Sequence, residues 1–407
     1  MRIRELQEFL GLRRSLAGLL SMCILVGMGE KMAERFLPIY LIALGAGPLA
    51  IGLLNGLDNL LSALYSLPGG LLSDRFGHKK ALLMFNLLAM AGFAIVILIP
   101  RWEAVLAGAV FFLSWTAISL PATMSLVSTL LPKNKRTMGV SMHSLVRRIP
   151  MGLGPVLGGL FIDIWGRTSG VRLAFILAFV MAGLAIWIQQ IFLPEDVPAK
   201  RESPDDSQKS PCLLMAQMGP ALKNLLISDI LIRFCEQIPY AFVVVWCMES
   251  IQHPVTASQF GFLTAIEMAT AILIYIPVAY LADRSTKKPF VVATFVFFTL
   301  FPLILLWCHS FTSLVFAFVL RGLKEFGEPT RKALIMDLAP EGAKARMFGL
   351  YYMIRDVVVS VAAFGGAFLW MRNPATNLLA AFGFGVLGTL WFLWKGEDTG
   401  KVVAQTA

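Results

Sequence analysis

Charge is what this 407-residue chain has least of: 15% of it is Asp, Glu, Lys or Arg and 57% is hydrophobic, where a soluble domain carries about 25% charged and 45–50% apolar residues. With a mean hydropathy of +0.73, a water-soluble globular domain is excluded. Five cysteines (Cys23, Cys212, Cys235, Cys247, Cys308) are scattered without paired spacing, which argues against a disulfide framework or a thiolate metal site and reads as packing. The four histidines (His78, His143, His253, His309) lie far apart, so no metal and no cofactor is expected. No G-x-x-x-x-G-K-[ST] loop is present, which argues against direct ATP drive. The apolar opening that follows Arg13-Arg14 continues through Glu30-Lys31 to Leu44 with no A-x-A site, so it reads as a first span and not as a secretory leader.

What is there is a series of long apolar runs, near 15–44, 48–72, 79–100, 104–131, 138–163 and 171–193, and then near 221–250, 256–281, 288–309, 311–338, 346–371 and 375–395. About 20 apolar residues cross a bilayer as a helix, whereas a membrane barrel alternates in segments of about ten. The expected fold is therefore all-α and integral to the membrane. Twelve helices, called spans 1 to 12 below, fall into two six-helix bundles at 1–193 and 221–407. The polar stretch 194–220, with Glu195-Asp196 and Lys200-Arg201-Glu202, reads as a cytoplasmic linker. Basic residues gather at the N-terminus, the even-to-odd loops, the linker and the C-terminus, leaving Arg101, Arg167, Arg172 and Arg372 opposite. By the positive-inside rule both termini are cytoplasmic, in an inner or plasma membrane. The net charge of +10 is dispersed over short loops, so it reads as an insertion signal and no nucleic-acid partner is expected.

The two halves keep a common register. Pro68 precedes Asp74-Arg75 as Pro277 precedes Asp283-Arg284; Pro121 and Pro132 match Pro329 and Pro340; Arg148 stands to Gly158-Gly159 as Arg355 stands to Gly365-Gly366. Parallel repeats of this kind suit two halves rocking about a midplane site. The turn Gly70-Leu71-Leu72-Ser73-Asp74-Arg75-Phe76-Gly77-His78-Lys79-Lys80, with its weaker copy from Ala279 to Lys288, resembles the loop signature of the major facilitator superfamily. The resemblance covers nearly the whole chain. It implies that Gly70, Asp74, Arg75 and Gly77, with Asp283 and Arg284 in the copy, form conformational latches, against the plainer reading of a topogenic turn. Gly154-Pro155-Val156-Leu157-Gly158-Gly159 resembles the core of that family's antiporter motif, which favours export. By residue chemistry alone this segment is a helix bend or a tight packing seam.

Charges inside spans are the candidate machinery, because each costs about 2.5–3.5 kcal/mol at a lipid-facing helix centre. Glu30, Lys31, Glu34 and Arg35 on span 1 fall within one helical arc, as do Arg321, Lys324, Glu325, Glu328, Arg331 and Lys332 on span 10. Span 7 offers Asp229, Arg233, Glu236, Gln237 and Tyr240, and span 4 offers Trp115, Thr116, Ser119 and Thr123. The family resemblance implies that spans 1, 4, 7 and 10 line the cavity. Glu267 on span 8 has no partner evident in the sequence, and a basic residue of span 7 is where one is expected. For these clusters structural ion pairing stands as the alternative to contact with substrate or protons.

The expected activity is alternating-access transport of a small organic compound, as proton-coupled export, with proton symport as the alternative. A membrane-embedded sensor or enzyme is the rival from another class. A monomer in the lipid bilayer is expected, with protons as coupling ion.

Overall fold

The structure is a computed structural model that describes residues 14–113, 115–130, 136–193, 215–282, 286–340 and 344–398. Eight spans are single helices: Pro48–Phe76, His78–Leu98, Arg136–Trp165, Arg167–Phe192, Ala257–Ala282, Lys288–Leu306, Lys344–Arg372 and Pro374–Lys395. Together with spans 1, 4, 7 and 10 they make the expected all-α, twelve-helix membrane fold. Seven helices among the described residues are long and apolar enough by themselves to cross a membrane, and an eighth is added when the bent pair of span 7 is taken together. Cα packing divides the chain into two compact units. Unit 1 comprises Met1–Ala50, Leu60–Arg201 and Val255–Ala265; unit 2 comprises Ile51–Asn59, Glu202–Pro254 and Ile266–Ala407.

Spans 1, 7 and 10 are broken, against the continuous helices expected from their apolar runs. Span 1 stops at Glu34 and resumes at Leu37–Ala43, with Pro38 in the new first turn, where its missing N–H costs nothing. Span 7 runs Pro220–Tyr240, turns, and continues as Val243–Val245 and a π-turn at Trp246–Ser250, bent by 44°. Pro239 sits just before this break and takes a donor out of the helical ladder. Span 10 ends its first helix, Phe311–Leu323, before Lys324-Glu325-Phe326-Gly327, and Pro329 opens the second, Glu328–Leu338. Amides 324–326 bond back three residues instead of four, so the single arc expected for the charges of span 10 does not exist. Span 4 is described as Trp102–Phe112 and Trp115–Leu130, on either side of residue 114, which lies outside the described residues.

The turn between spans 2 and 3 pivots on Gly77 at φ +91°, a conformation that side chains with a Cβ disfavour. The lysines after it do matching work in the two units. Lys79 Nζ donates to the carbonyls of Gln190 and Leu193 at 3.0 Å each, closing the end of span 6. Lys288 Nζ donates to those of Leu393 (3.0 Å) and Gly396 (2.7 Å) at the end of span 12. Both place a cation at the negative end of a helix.

The GPVLGG segment is a seam, not a break: span 5 is one helix containing Pro150 and Pro155. A Cβ at Gly158 would collide with the Met32 carbonyl of span 1, and one at Gly366 with the Ile238 carbonyl of span 7. Gly159 lies against the backbone of Ala257 and Ser258. Asp163 caps that same helix start, accepting from the amides of Ala257 (3.0 Å) and Ser258 (2.9 Å). Cys23, Cys235, Cys247 and Cys308 are free and buried, and Cys212 lies outside the described residues.

Candidate functional site

Each unit holds a polar cavity among the helices of its interrupted spans. In unit 1 a space of about 390 Å³ is bordered by Glu30, Lys31, Trp115, Ser119, Thr123 and Arg147, with Cys23 and Met151 among its apolar wall. Lys31 Nζ donates to Glu30 Oε1 at 3.1 Å and also pairs with Glu34, so one cation of span 1 holds both carboxylates of its own span. Arg35, expected on the same helical arc, falls in the turn that interrupts the span. The indole N–H of Trp115 donates to Asn86 Oδ1 at 2.7 Å.

In unit 2 a space of about 300 Å³ is bordered by Glu236, Arg321 and Lys324 with Cys235, Val243, Phe297, Phe298 and Phe301. Glu236 is shared: Oε2 takes Arg233 Nη1 at 2.5 Å and Oε1 takes Lys324 Nζ at 2.9 Å. Lys324 also reaches Glu267 Oε1 at 3.2 Å, and Arg321 Nε approaches the same oxygen at 3.3 Å. Glu267 is thus paired with span 10, not with span 7 as expected. The reason is geometric: the break after Leu323 puts Lys324 within reach of both carboxylates. Aromatic rings complete the surround. The Arg321 guanidinium lies 4.9 Å from the Phe301 ring centre, 5.6 Å from Phe318 and 5.8 Å from Tyr240, where cations are attracted to ring faces.

A second ion cluster lies in the same unit among spans 7, 10 and 11. Asp229, fully buried, pairs with Arg331, accepts from Tyr351 Oη at 3.1 Å and meets Arg355 Nη1 at 3.4 Å. Arg331 Nη2 continues to Glu328 at 2.6 Å, and Lys332 joins Glu328 at 3.3 Å. Desolvated charges of this kind persist only with partners. Sequence reasoning placed Asp229 and Arg331 in spans but did not bring them together.

Among the residues expected to gate, Gly70 and Asp74 lie in the helix of span 2, and Arg75 is exposed with its guanidinium 5.4 Å from the Phe76 ring centre. Asp283 and Arg284 lie outside the described residues. Glu325 falls in the turn of span 10. Asn55 and Asn59 of span 2 donate to the carbonyl and side chain of Gln237, at 2.9 and 3.2 Å. Asn86 and Gln189 escaped sequence reading; the available signal was a single amide in the apolar run of span 3 and the pair Gln189-Gln190 near the end of span 6.

A family model described as the Major Facilitator Superfamily matches residues 19–251 and, a second time, 225–407. The chain belongs to this superfamily. The double match agrees with the internal register, and the protein is a secondary transporter of the membrane. The uncharacterized MFS-type transporter MJ1317 of Methanocaldococcus jannaschii is 21% identical over 378 residues, 90% of this chain and 91% of that protein. The multidrug resistance protein MdtG of Klebsiella pneumoniae is 30% identical over 185 residues, 42% and 43% of the two chains. Among solved structures the nucleoside transporter NupG superposes with a TM-score of 0.79 at 14% identity, over 94% of this chain and 100% of the other. At that identity the likeness concerns the fold.

Proposed function

We propose that this transporter is a proton-coupled exporter of a small organic compound, lodged in the inner or plasma membrane with both termini cytoplasmic. Partial identity to MdtG, the GPVLGG segment of span 5 and the distribution of loop lysines and arginines support that reading. The observation that carries it is Glu236, held between Arg233 of its own span and Lys324 beyond the break of span 10. A carboxylate deprived of its cation in an apolar interior takes up a proton. Rearrangement of span 10 that draws Lys324 toward Glu267 or toward a bound anionic group removes one of the two cations of Glu236. Proton and substrate then compete for one charge, which is the linkage an antiporter requires.

Purified protein in liposomes with an imposed pH gradient, offered a panel of cationic, anionic, zwitterionic and neutral compounds, tests the proposal. Glu236→Gln is expected to abolish gradient-driven flux and to preserve exchange without a gradient. Gradient-driven flux retained in that variant would put the proton site elsewhere. Asp74 and Arg75 are assigned to gating on the charged turn. Asp74→Asn is expected to slow flux severalfold while equilibrium binding of the transported compound stays intact, since it changes conformational populations rather than a ligand contact. Normal flux in Asp74→Asn would remove the latch.

A further inference from the structure

The indole of Trp115 ends a hydrogen-bonded chain that crosses the interior of unit 1. Trp115 Nε1 donates to Asn86 Oδ1 at 2.7 Å, Asn86 Nδ2 donates to Gln189 Oε1 at 2.8 Å, and Gln189 Nε2 donates to the Lys79 carbonyl at 2.7 Å. Both amides are fully buried. The direction of the chain is fixed at both ends, because an indole nitrogen only donates and a backbone carbonyl only accepts. Each amide therefore has one orientation that satisfies all three bonds.

Unit 2 fills the corresponding two positions with phenylalanine side chains. Phe295 lies 209 residues after Asn86, the same interval as from Asp74 to Asp283. Its ring packs edge-to-face on Phe392 at 5.4 Å, and both are buried. Phe392 precedes by four residues the Gly396 carbonyl capped by Lys288, as Gln189 precedes by four the Leu193 carbonyl capped by Lys79. In both units the position accepts the helix-ending amide: Leu193 N–H on Gln189 O at 3.1 Å, Gly396 N–H on Phe392 O at 2.8 Å. Packing at this joint is thus met by two phenylalanines, and buried amides bring desolvation costs that rings do not. What the amides add is a hold on Trp115, which borders the cavity beside Glu30 and Ser119.

We infer that Asn86 and Gln189 are positioning residues: they fix the Trp115 indole at the wall of the unit 1 cavity and tie its orientation to the charged turn through Lys79. The inference rests on the reading of that cavity as a substrate site only for its consequence in transport, not for the positioning itself. The tie gives the turn after span 2 a physical route to the cavity wall, through three bonds and no ligand.

The full chain, labelled with 5-fluorotryptophan in lipid nanodiscs and assigned by Trp115→Phe, gives the test by fluorine NMR. In Asn86→Leu and in Gln189→Leu the Trp115 resonance is expected to shift and split. Exchange of the Trp115 indole N–H is expected to accelerate by about tenfold or more in Asn86→Leu, as loss of a buried hydrogen bond implies. The resonances of Trp246 and Trp370 in unit 2 should stay in place. A Trp115 resonance unmoved in folded Asn86→Leu overturns the inference. Should the leucine variants fail to fold, the unaltered chain decides: a Trp115 indole N–H that exchanges as fast as that of free 5-fluorotryptophan in water overturns it as well. If the resonance moves and flux of the panel compound is unchanged, positioning stands and Trp115 leaves the substrate site.

Discussion

Glu30 and Glu236 occupy equivalent positions in the two units and are compensated in different ways. The equivalence is visible in the packing. The residue before each, Gly29 or Cys235, rests on span 6 at Ala178 or on span 12 at Gly385, and the carbonyl two residues after each faces Gly158 or Gly366. Glu30 pairs with Lys31 of its own span and lies in the electrostatic reach of Arg147 of span 5, on the same cavity. Glu236 pairs with Arg233 of its own span and also with Lys324 of span 10, which engages Glu267 of span 8 as well. The ion pair of Glu30 travels with one helix. That of Glu236 with Lys324 changes whenever spans 7, 8 and 10 shift against one another, so coupling between charge and conformation is expected to be stronger in unit 2.

The largest test of this contrast addresses the deeper cluster. Arg331 at the heart of unit 2 corresponds by register to Thr123 of unit 1, two residues after Pro329 and Pro121 respectively. Arg331→Met leaves the fully buried Asp229 without its principal cation, and removing one partner of such a pair costs about 3–5 kcal/mol. Among the described residues Thr123 Oγ1 bonds to the Leu120 carbonyl in its own helix, at 2.9 Å, so Thr123→Val should cost less than about 1 kcal/mol. Denaturation in detergent, followed by circular dichroism, measures both. Equal losses would mean that the ion cluster is not what holds spans 7, 10 and 11 together.

A smaller effect is expected when the glutamates themselves are compared. Glu30→Gln leaves Lys31 paired to Glu34, and gradient-driven flux should fall by less than about tenfold, equivalent to less than about 1.4 kcal/mol of barrier. The same substitution at Glu236 is the one expected to abolish it. Reversal of that order in parallel liposome assays would move the coupling site to unit 1.

Much of this was legible in the sequence because the bilayer imposes a coarse, repetitive code. The apolar spans and the clusters of charge within spans 1, 7 and 10 follow from the cost of exposing charge to lipid, and the repeated prolines and glycines give the register of the two halves. The breaks were less legible. Pro38 and Pro329 were visible, but a proline in the first turn of a helix reads the same whether the helix begins there or continues. The partner of Glu267 was hidden by that omission, since Lys324 reaches it only from the unwound turn at 324–327. Asn86 and Gln189 were hidden for another reason: one amide, or two adjacent ones, in an apolar run have no periodicity, and their meaning lies in a partner 103 residues away.

The smallest stability effect makes the sharpest comparison. Lys79 and Lys288 cap the last carbonyls of spans 6 and 12 with matching geometry, and each interaction of a cation with a helix C-terminus is worth about 0.3–1 kcal/mol. Lys79→Met and Lys288→Met should therefore lower the unfolding midpoint by the same slight amount. Their internal consequences should differ. Lys79 also offers its backbone carbonyl to Gln189, so loosening the turn in Lys79→Met slackens the chain that ends on Trp115 and broadens its fluorine resonance. On the other side Lys288 is fastened a second time, its amide donating to Asp398 Oδ2 at 2.9 Å, and behind it stand two phenylalanines that carry no hydrogen bond onward from their side chains. Lys288→Met should thus leave every tryptophan signal of unit 1 unchanged. A Trp115 signal indifferent to Lys79→Met would confine the link to the backbone carbonyl and detach the cap of span 6 from the cavity wall.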